Sequence, residues 1–289
     1  MSDERFDAIV REFFFRFMEL EPVMATFLGV HEHDGRLPEG TRRHIQEETR
    51  LVREFRDEVE SIPPESLSRD RRIDRGLAIQ SAELAIFQFE ELRSWEKSDG
   101  VPDTVGEGIF LLLARDFAPL EQRLESVASR LEEVPAFESR SRELLSDPVR
   151  IWVEIALEST RYAPALFGAA VQSAGDVSAD LRGRLQEAAQ AASEAMARHA
   201  RWLQEDVIPR AREEFAIGRE MFDRLLELRG IEMSSDEILQ LGWDYLERME
   251  RERAEIARAI DPDASPEEVL RKIKSKHPET FEELLRAYR

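Results

Sequence analysis

Residues 215–289 read FAIGREMFDRLLELRGIEMSSDEILQLGWDYLERMERERAEIARAIDPDASPEEVLRKIKSKHPETFEELLRAYR, and the punctuation within them decides the fold class. Ser234-Ser235-Asp236-Glu237 sets a hydroxyl three residues ahead of a carboxylate, just before an apolar-periodic run. In such a capping box the serine oxygen accepts the backbone N–H of the glutamate, and the glutamate accepts the serine N–H in return. Ile238, Leu241, Tyr245, Met249 and Ile256 then fall on one helical face, with charges elsewhere. Ser265-Pro266-Glu267-Glu268 repeats the device with proline at the first helical position, and Thr280 to Glu283 repeats it again. The last helix carries only Phe281, Leu284, Leu285 and Tyr288, and no glycine, asparagine or proline closes it. A helix of about ten residues is marginal in water unless it docks. The stretch therefore predicts a helical architecture that continues past Arg289.

The rest of the chain has the same texture. Asp3 to Glu19 is an amphipathic helix through Phe6, Ile9, Val10, Phe13, Phe14 and Phe17, broken at Glu21-Pro22. A short helical turn runs to Leu28 and ends at Gly29, before the polar loop Val30 to Pro38. Thr41 to Ser61 forms a helix stopped by Pro63-Pro64. Leu67 to Trp95 reads as one long helix through Ile73, Leu77, Leu84, Phe87 and Leu92, followed by a turn-rich loop from Lys97 to Thr104. Pro119 to Glu133 is a helix ended by Val134-Pro135, and Ala136 to Leu145 a shorter one. Asp147-Pro148 opens a helix that Pro164 kinks and Gly175-Asp176 ends; Ser178 to Val207 follows, alanine-rich, with Leu181, Leu185, Ala188, Ala192, Met196 and Leu203 inward. No period-2 alternation is long enough for a sheet, and no fixed-period repeat marks a solenoid. The pattern predicts an all-α protein, one helical unit over residues 1–289 built as an array of roughly ten to twelve helices.

Composition excludes several functions. With a net charge of −20 the chain lacks the basic surface that nucleic acid or an anionic membrane requires; the charge keeps a large surface soluble. No apolar run approaches the roughly 18 residues of a membrane span. The acidic N-terminus lacks the basic start and apolar centre of a signal peptide, which predicts a cytoplasmic protein. The absence of cysteine removes disulfides, thiolate metal sites and cysteine nucleophiles. The absence of cysteine and asparagine beside abundant glutamate and arginine fits a thermophilic source, although a GC-rich genome gives the same arginine bias.

The motifs of catalysis are also missing. The five histidines are His31, His33, His44, His199 and His277, and none follows a glutamate at the three-residue spacing of di-iron bundles. No H-E-x-x-H and no G-x-S-x-G occurs. His31 and His33 stand two apart in a polar loop, where they point to different sides, so a solvated loop is expected and not a metal site. Gly106 and Gly108 precede the apolar segment Ile109 to Ala114 but lack the lysine, the strand and the glycine spacing of a phosphate loop. His199 is expected to be a partly exposed helical histidine, and carboxylate pairs such as Glu213-Glu214 and Glu282-Glu283 are expected to be solvated faces.

In order along the chain, MATFLGVHEHDGRLPE, PLEQRLESVASRLEEVPAF, WVEIALE, FAIGREMFDRLLEL, MSSDEILQLGWDYLERM and IDPDASPEEVLRKIKSKHPETFEELLRAYR resemble the domain of unknown function 885 family, specifically its N-terminal half. Full-length members resemble helical zinc metallopeptidases of the gluzincin type. In them the H-E-x-x-H helix and a further glutamate ligand lie beyond the region present here. The resemblance implies that these residues are the non-metal half of a clamshell-type metallopeptidase-like fold, walling one side of a substrate cleft and inactive alone. It implies no catalytic residue, metal ligand or cofactor in this chain, zinc only in a full-length relative, and a missing catalytic half or companion chain as partner. A peptide would be the substrate. Arg219 and Glu220, beside the Phe215-Ala216-Ile217-Gly218 turn, are the residues placed to face that cleft; the competing reading gives them a structural role, with Gly218 allowing close packing. The alternative function is a stand-alone helical binding or scaffold protein without catalysis.

Overall fold

The computed structural model describes residues 2–175 and 177–288. Twelve α-helices and no strand occur among them, with a single isolated bridge between Val149 and Arg212. The chain divides into two compact units, Met1–Met221 and Phe222–Arg289.

The first unit opens with α1 (Ser2–Leu20), α2 (Pro22–Leu28), α3 (Arg42–Glu60) and α4 (Arg69–Phe87). Pro22 takes the first turn of α2, where its missing N–H costs nothing, and Gly29 ends the helix in the left-handed conformation. Thr41 caps α3 and Ser68 caps α4, each accepting the N–H three residues on. Phe6, Val52, Phe55, Val59, Ile62 and Ala82 form the core that joins α1, α3 and α4.

The expected long helix over Leu67 to Trp95 is shorter than its pattern. After Phe87 one π-turn spans Gln88–Leu92, Arg93 adopts φ 48°, and a 3-10 turn covers Ser94–Glu96. Ile73 and Leu77, expected inward, are more than half exposed, and α4 instead buries Ala82 with Ala78, Ile79 and Ile86 packed beside it. Helix α4 packs on α3 through this face, and that choice of face belongs to the tertiary fold.

A second core joins α5 (Val101–Ala114), α6 (Leu120–Ser141), α7 (Arg150–Ser173) and α8 (Ala179–Trp202). Helix α6 packs on α8, α7 on α8, and α5 on both α6 and α7. Ile109, Leu112, Leu124, Leu131, Phe167, Leu185 and Met196 are each fully buried. Two sequence expectations are corrected here. Val101 to Thr104 is not loop: Pro102 sits in the first turn of α5, so Gly106 and Gly108 lie inside the helix and cradle no phosphate. Pro135 does not end its helix; α6 runs through it because Leu131, Val134 and Phe137 around it are all buried in the core. Burial of that kind outweighs the roughly 3 kcal/mol that an interior proline costs. Helix α7 runs through Pro164, as expected, to Ser173 and is capped at Ala174; of the predicted Gly175-Asp176 stop that follows, Asp176 lies outside the described residues. The inward face predicted for α8 is buried at every named position, and the helix passes into a π-turn at Leu203–Val207.

Arg130 of α6 fastens this core to the N-terminal segments. It is fully buried and donates to the carbonyls of Arg36 (3.0 Å), Gly108 (2.6 Å) and Pro22 (3.1 Å) and to Thr26 Oγ1 (2.6 Å). Burial pulls its pKa down to about 10, against the opposing pull of Asp34 and Glu133, which still leaves it charged at neutral pH. Thr26 donates in turn to Asp34 (2.6 Å), and Asp34 lies 2.9 Å from His31 Nδ1. His31 also stacks on Phe117, with ring centroids 3.7 Å apart. The loop histidine is thus a packing element held by its own aspartate.

The boundary between units falls within α9 (Arg219–Leu228). The second unit continues with α10 (Ser235–Ile260), α11 (Pro266–Lys274) and α12 (Phe281–Ala287). Both capping boxes predicted for α10 and α11 form, at Ser234/Glu237 and Ser265/Glu268. The third forms by half: Thr280 caps Glu283 N–H, but the Glu283 carboxylate accepts the N–H of Glu279 instead of that of Thr280.

Candidate functional site

The first unit holds a cavity of about 180 Å³, walled by Glu21, His44, Trp95, Asp99, Thr104 and Ser141 among others. Each wall residue is placed by a helix end or a helix face. Glu21 is the residue where α1 gives way to α2. His44 stands in the first turn of α3, its own N–H capped by Thr41, with Glu48 one turn further on the same face. Asp99 precedes α5, its carboxylate accepting Val101 N–H at 3.3 Å. Gly40 admits the chain to the cavity wall: its φ is +67°, and a Cβ there would stand 2.4 Å from Ser141 Oγ and 2.6 Å from the Phe137 ring.

Two buried ionisable groups of residues adjoin this cavity. In the first, His44 Nε2 lies 2.9 Å from Glu21 Oε1 and 3.8 Å from Glu48 Oε1. Burial raises the Glu48 pKa to about 9, helped by the charge of Glu21 and a hydrogen bond with it. At neutral pH Glu48 therefore carries a proton that it shares with Glu21. In the second, His199 lies between Asp99 (Nε2 to Oδ2, 2.7 Å) and Glu138 (Nδ1 to Oε1, 2.9 Å). Burial alone would lower its pKa, but the two carboxylates outweigh that and hold it at about 9. The Glu138 carboxyl is lowered despite burial, because His199 and Arg142 both donate to it. The sequence expectation for His199 is overturned: the residue is fully buried and doubly paired. Because both ring nitrogens are occupied as donors, His199 offers no lone pair to a metal or a substrate. The chemical capacity of the cavity lies with Glu21, His44 and Glu48.

Arg219 and Glu220 form the first turn of α9, are both exposed, and do not line the cavity. Gly218 before them has φ +82°, and a Cβ there would meet nothing within 4 Å. Its role is the left-handed turn, which favours glycine, and not the close packing expected from sequence.

The second unit offers a different surface. Of the face predicted for α10, Ile238 is half-buried while Leu241, Tyr245, Met249 and Ile256 are between 42% and 61% exposed, and Phe281, Leu284, Leu285 and Tyr288 of the last helix are between 39% and 84% exposed. Helices α10 and α11 together form an apolar groove of about 410 Å³ lined by Leu246, Met249, Ile256, Ile260, Leu270 and Ile273. Monomeric proteins rarely leave contiguous apolar surface of this kind open, and where it occurs it marks an interaction site.

The Glu21–His44–Glu48 group falls outside the motifs in which a glutamate stands three residues ahead of a histidine or between two of them. The H-x-x-x-E spacing at His44 and Glu48 was the available signal. Glu21, and the pairing of Asp99 with His199 a hundred residues on, carry no local signal at all.

The architecture defines an all-helical protein with a small acidic cavity and an open apolar face. Residues 22–289 match the model of a family described as bacterial proteins of unknown function (DUF885), and the chain belongs to that family. No curated protein matches the sequence. Among solved structures, one described as a "putative lipoprotein of unknown function" from Shewanella oneidensis is similar, with a TM-score of 0.77 and 22% identity. The similarity covers 95% of this chain and 53% of that one, so the chain spans about half the length of the structure it matches. At that identity the likeness concerns the fold.

Proposed function

We propose that this chain is the helical portion, without the catalytic metal site, of a larger hydrolase-like protein, in which it forms one wall of a substrate cleft. The observation that carries the reading is the exposed apolar groove of α10 and α11, with the exposed apolar residues of α12, on a chain that spans 53% of its structural neighbour. A face of this composition is stable in water only when something covers it, and the natural cover is the remainder of the fold. The metallopeptidase character, with zinc and peptide hydrolysis in that remainder, rests on the sequence resemblance. On this reading the 289 residues alone hydrolyse no peptide, and Arg219 and Glu220 contact substrate only in the assembled protein. Placement in the cytoplasm belongs to the same proposal; recovery of the native protein with membranes would overturn it.

The coding DNA beyond Arg289 and hydrogen exchange on the last helix test the reading together. An in-frame H-E-x-x-H downstream, or in a companion gene, is expected, together with fast exchange over residues 281–288 that slows when that segment is added. A natural stop with no companion gene, and slow exchange in the chain alone, would instead support the stand-alone scaffold.

A further inference from the structure

In the Glu21–His44–Glu48 group two carboxyl side chains meet one imidazole, and among the described residues no lysine or arginine forms an ion pair with either. His44 and Glu48 are nearly fully buried, and Glu21 is about a quarter exposed on the cavity side. One donor atom from each residue can be chosen so that all lie within 4.8 Å of one another. Two donors each about 2.1 Å from one ion stand roughly 3.0 Å apart at a right angle and roughly 4.2 Å apart in line. The observed 2.9 Å and 3.8 Å lie within or close to that window. Two of the three donors sit one helical turn apart on α3, so their spacing is fixed by the helix itself.

An independent observation points to an occupant of the same cavity. Ser141 Oγ is buried at its wall and has no hydrogen-bond partner. A buried hydroxyl left unpaired costs about 1–3 kcal/mol, so natural proteins keep one where a ligand, ion or water meets it.

We propose that Glu21, His44 and Glu48 bind one divalent first-row transition ion, with its open coordination positions facing the cavity where Ser141 and Thr104 line the wall. One imidazole with two carboxylates suits zinc, manganese or iron(II), whereas calcium takes oxygen donors alone. The site lies in the first unit and is independent of the function proposed above: its failure would leave that reading untouched.

The test is titration of the full chain with Zn²⁺, Mn²⁺ and Ca²⁺ by calorimetry, with metal content measured after dialysis. One equivalent of Zn²⁺ or Mn²⁺ is expected, with Ca²⁺ much weaker. Glu48→Gln and His44→Ala should each weaken binding by more than the about 10–100-fold that removal of an outer-shell partner costs. His33→Ala and His277→Ala should leave it unchanged. In the wild-type chain, Mn²⁺ should broaden the Trp95 indole N–H resonance before those of the other tryptophans, which decides the matter even where a variant fails to fold. A folded wild-type chain that takes up no stoichiometric ion would overturn the proposal. So would binding unaltered by Glu48→Gln, Ca²⁺ bound as tightly as Zn²⁺, or broadening that spares Trp95.

Discussion

Arg130 shows how much one side chain holds. Its guanidinium ties α6 to α2, to α5 and to the loop at Arg36 through four hydrogen bonds in a fully buried setting. Arg130→Met leaves three carbonyls and the Thr26 hydroxyl without that donor, and a loss of about 3–5 kcal/mol is expected in urea unfolding. Gly40→Ala should cost about 2 kcal/mol or more, since the new Cβ meets Ser141 and Phe137 inside contact distance and φ is +67°. His199 gives the protein a pH dependence of definite sign. Its pKa is about 9 in the folded chain and about 6.5 unfolded, so folding takes up a proton between those values. Its contribution, on the order of 3 kcal/mol, is complete below about pH 6.5 and lost as pH rises through about 9. The groups facing it are Asp99 and Glu138, with Arg142 behind Glu138. Urea midpoints from pH 6 to 10 should fall for the wild type, and His199→Gln should flatten that part of the slope.

At the scale of elements, helix ends were legible and helix interiors less so. The serine caps of α10 and α11 depend on contacts within four residues, so the sequence pattern and the observed boxes coincide. Ser234→Ala should cost about 1 kcal/mol of local stability, read as faster amide exchange in the first turn of α10 with the first unit unaffected. Interior prolines behaved otherwise: Pro135 reads locally as a stop, yet Leu131, Val134 and Phe137 hold both sides of it in one core and α6 continues. The segment after Phe87 erred in the opposite direction, since its apolar spacing continues while the backbone turns at Arg93. There Arg42 and Arg93 each lie over the Trp95 ring and pair with Glu96, and the contacts of Arg42, more than fifty residues away, are ones that no window of local sequence contains.

For the whole molecule, the question is what lies against the second unit. If the face of α10 to α12 is an assembly surface, Leu284→Ser with Leu285→Ser should leave the thermal midpoint of the isolated chain within about 2 °C, because both side chains are already substantially exposed. The same change should reduce self-association in sedimentation and abolish binding of a complementary segment. A large fall in the midpoint would show instead that α12 packs within this chain, as the scaffold reading requires.

The sequence by itself determined the helical class, most helix boundaries, the capping boxes and the buried stripe of α8, because periodicity and caps act over one or two turns. It also determined that α10 has an apolar face. Only the tertiary structure decided that this face stays open, that α4 turns Ile73 and Leu77 outward, and that Glu21 meets His44 and Glu48 while Asp99 meets His199. Those outcomes depend on which helices stand beside one another, and burial and charge pairing between segments up to a hundred residues apart leave no imprint on local spacing.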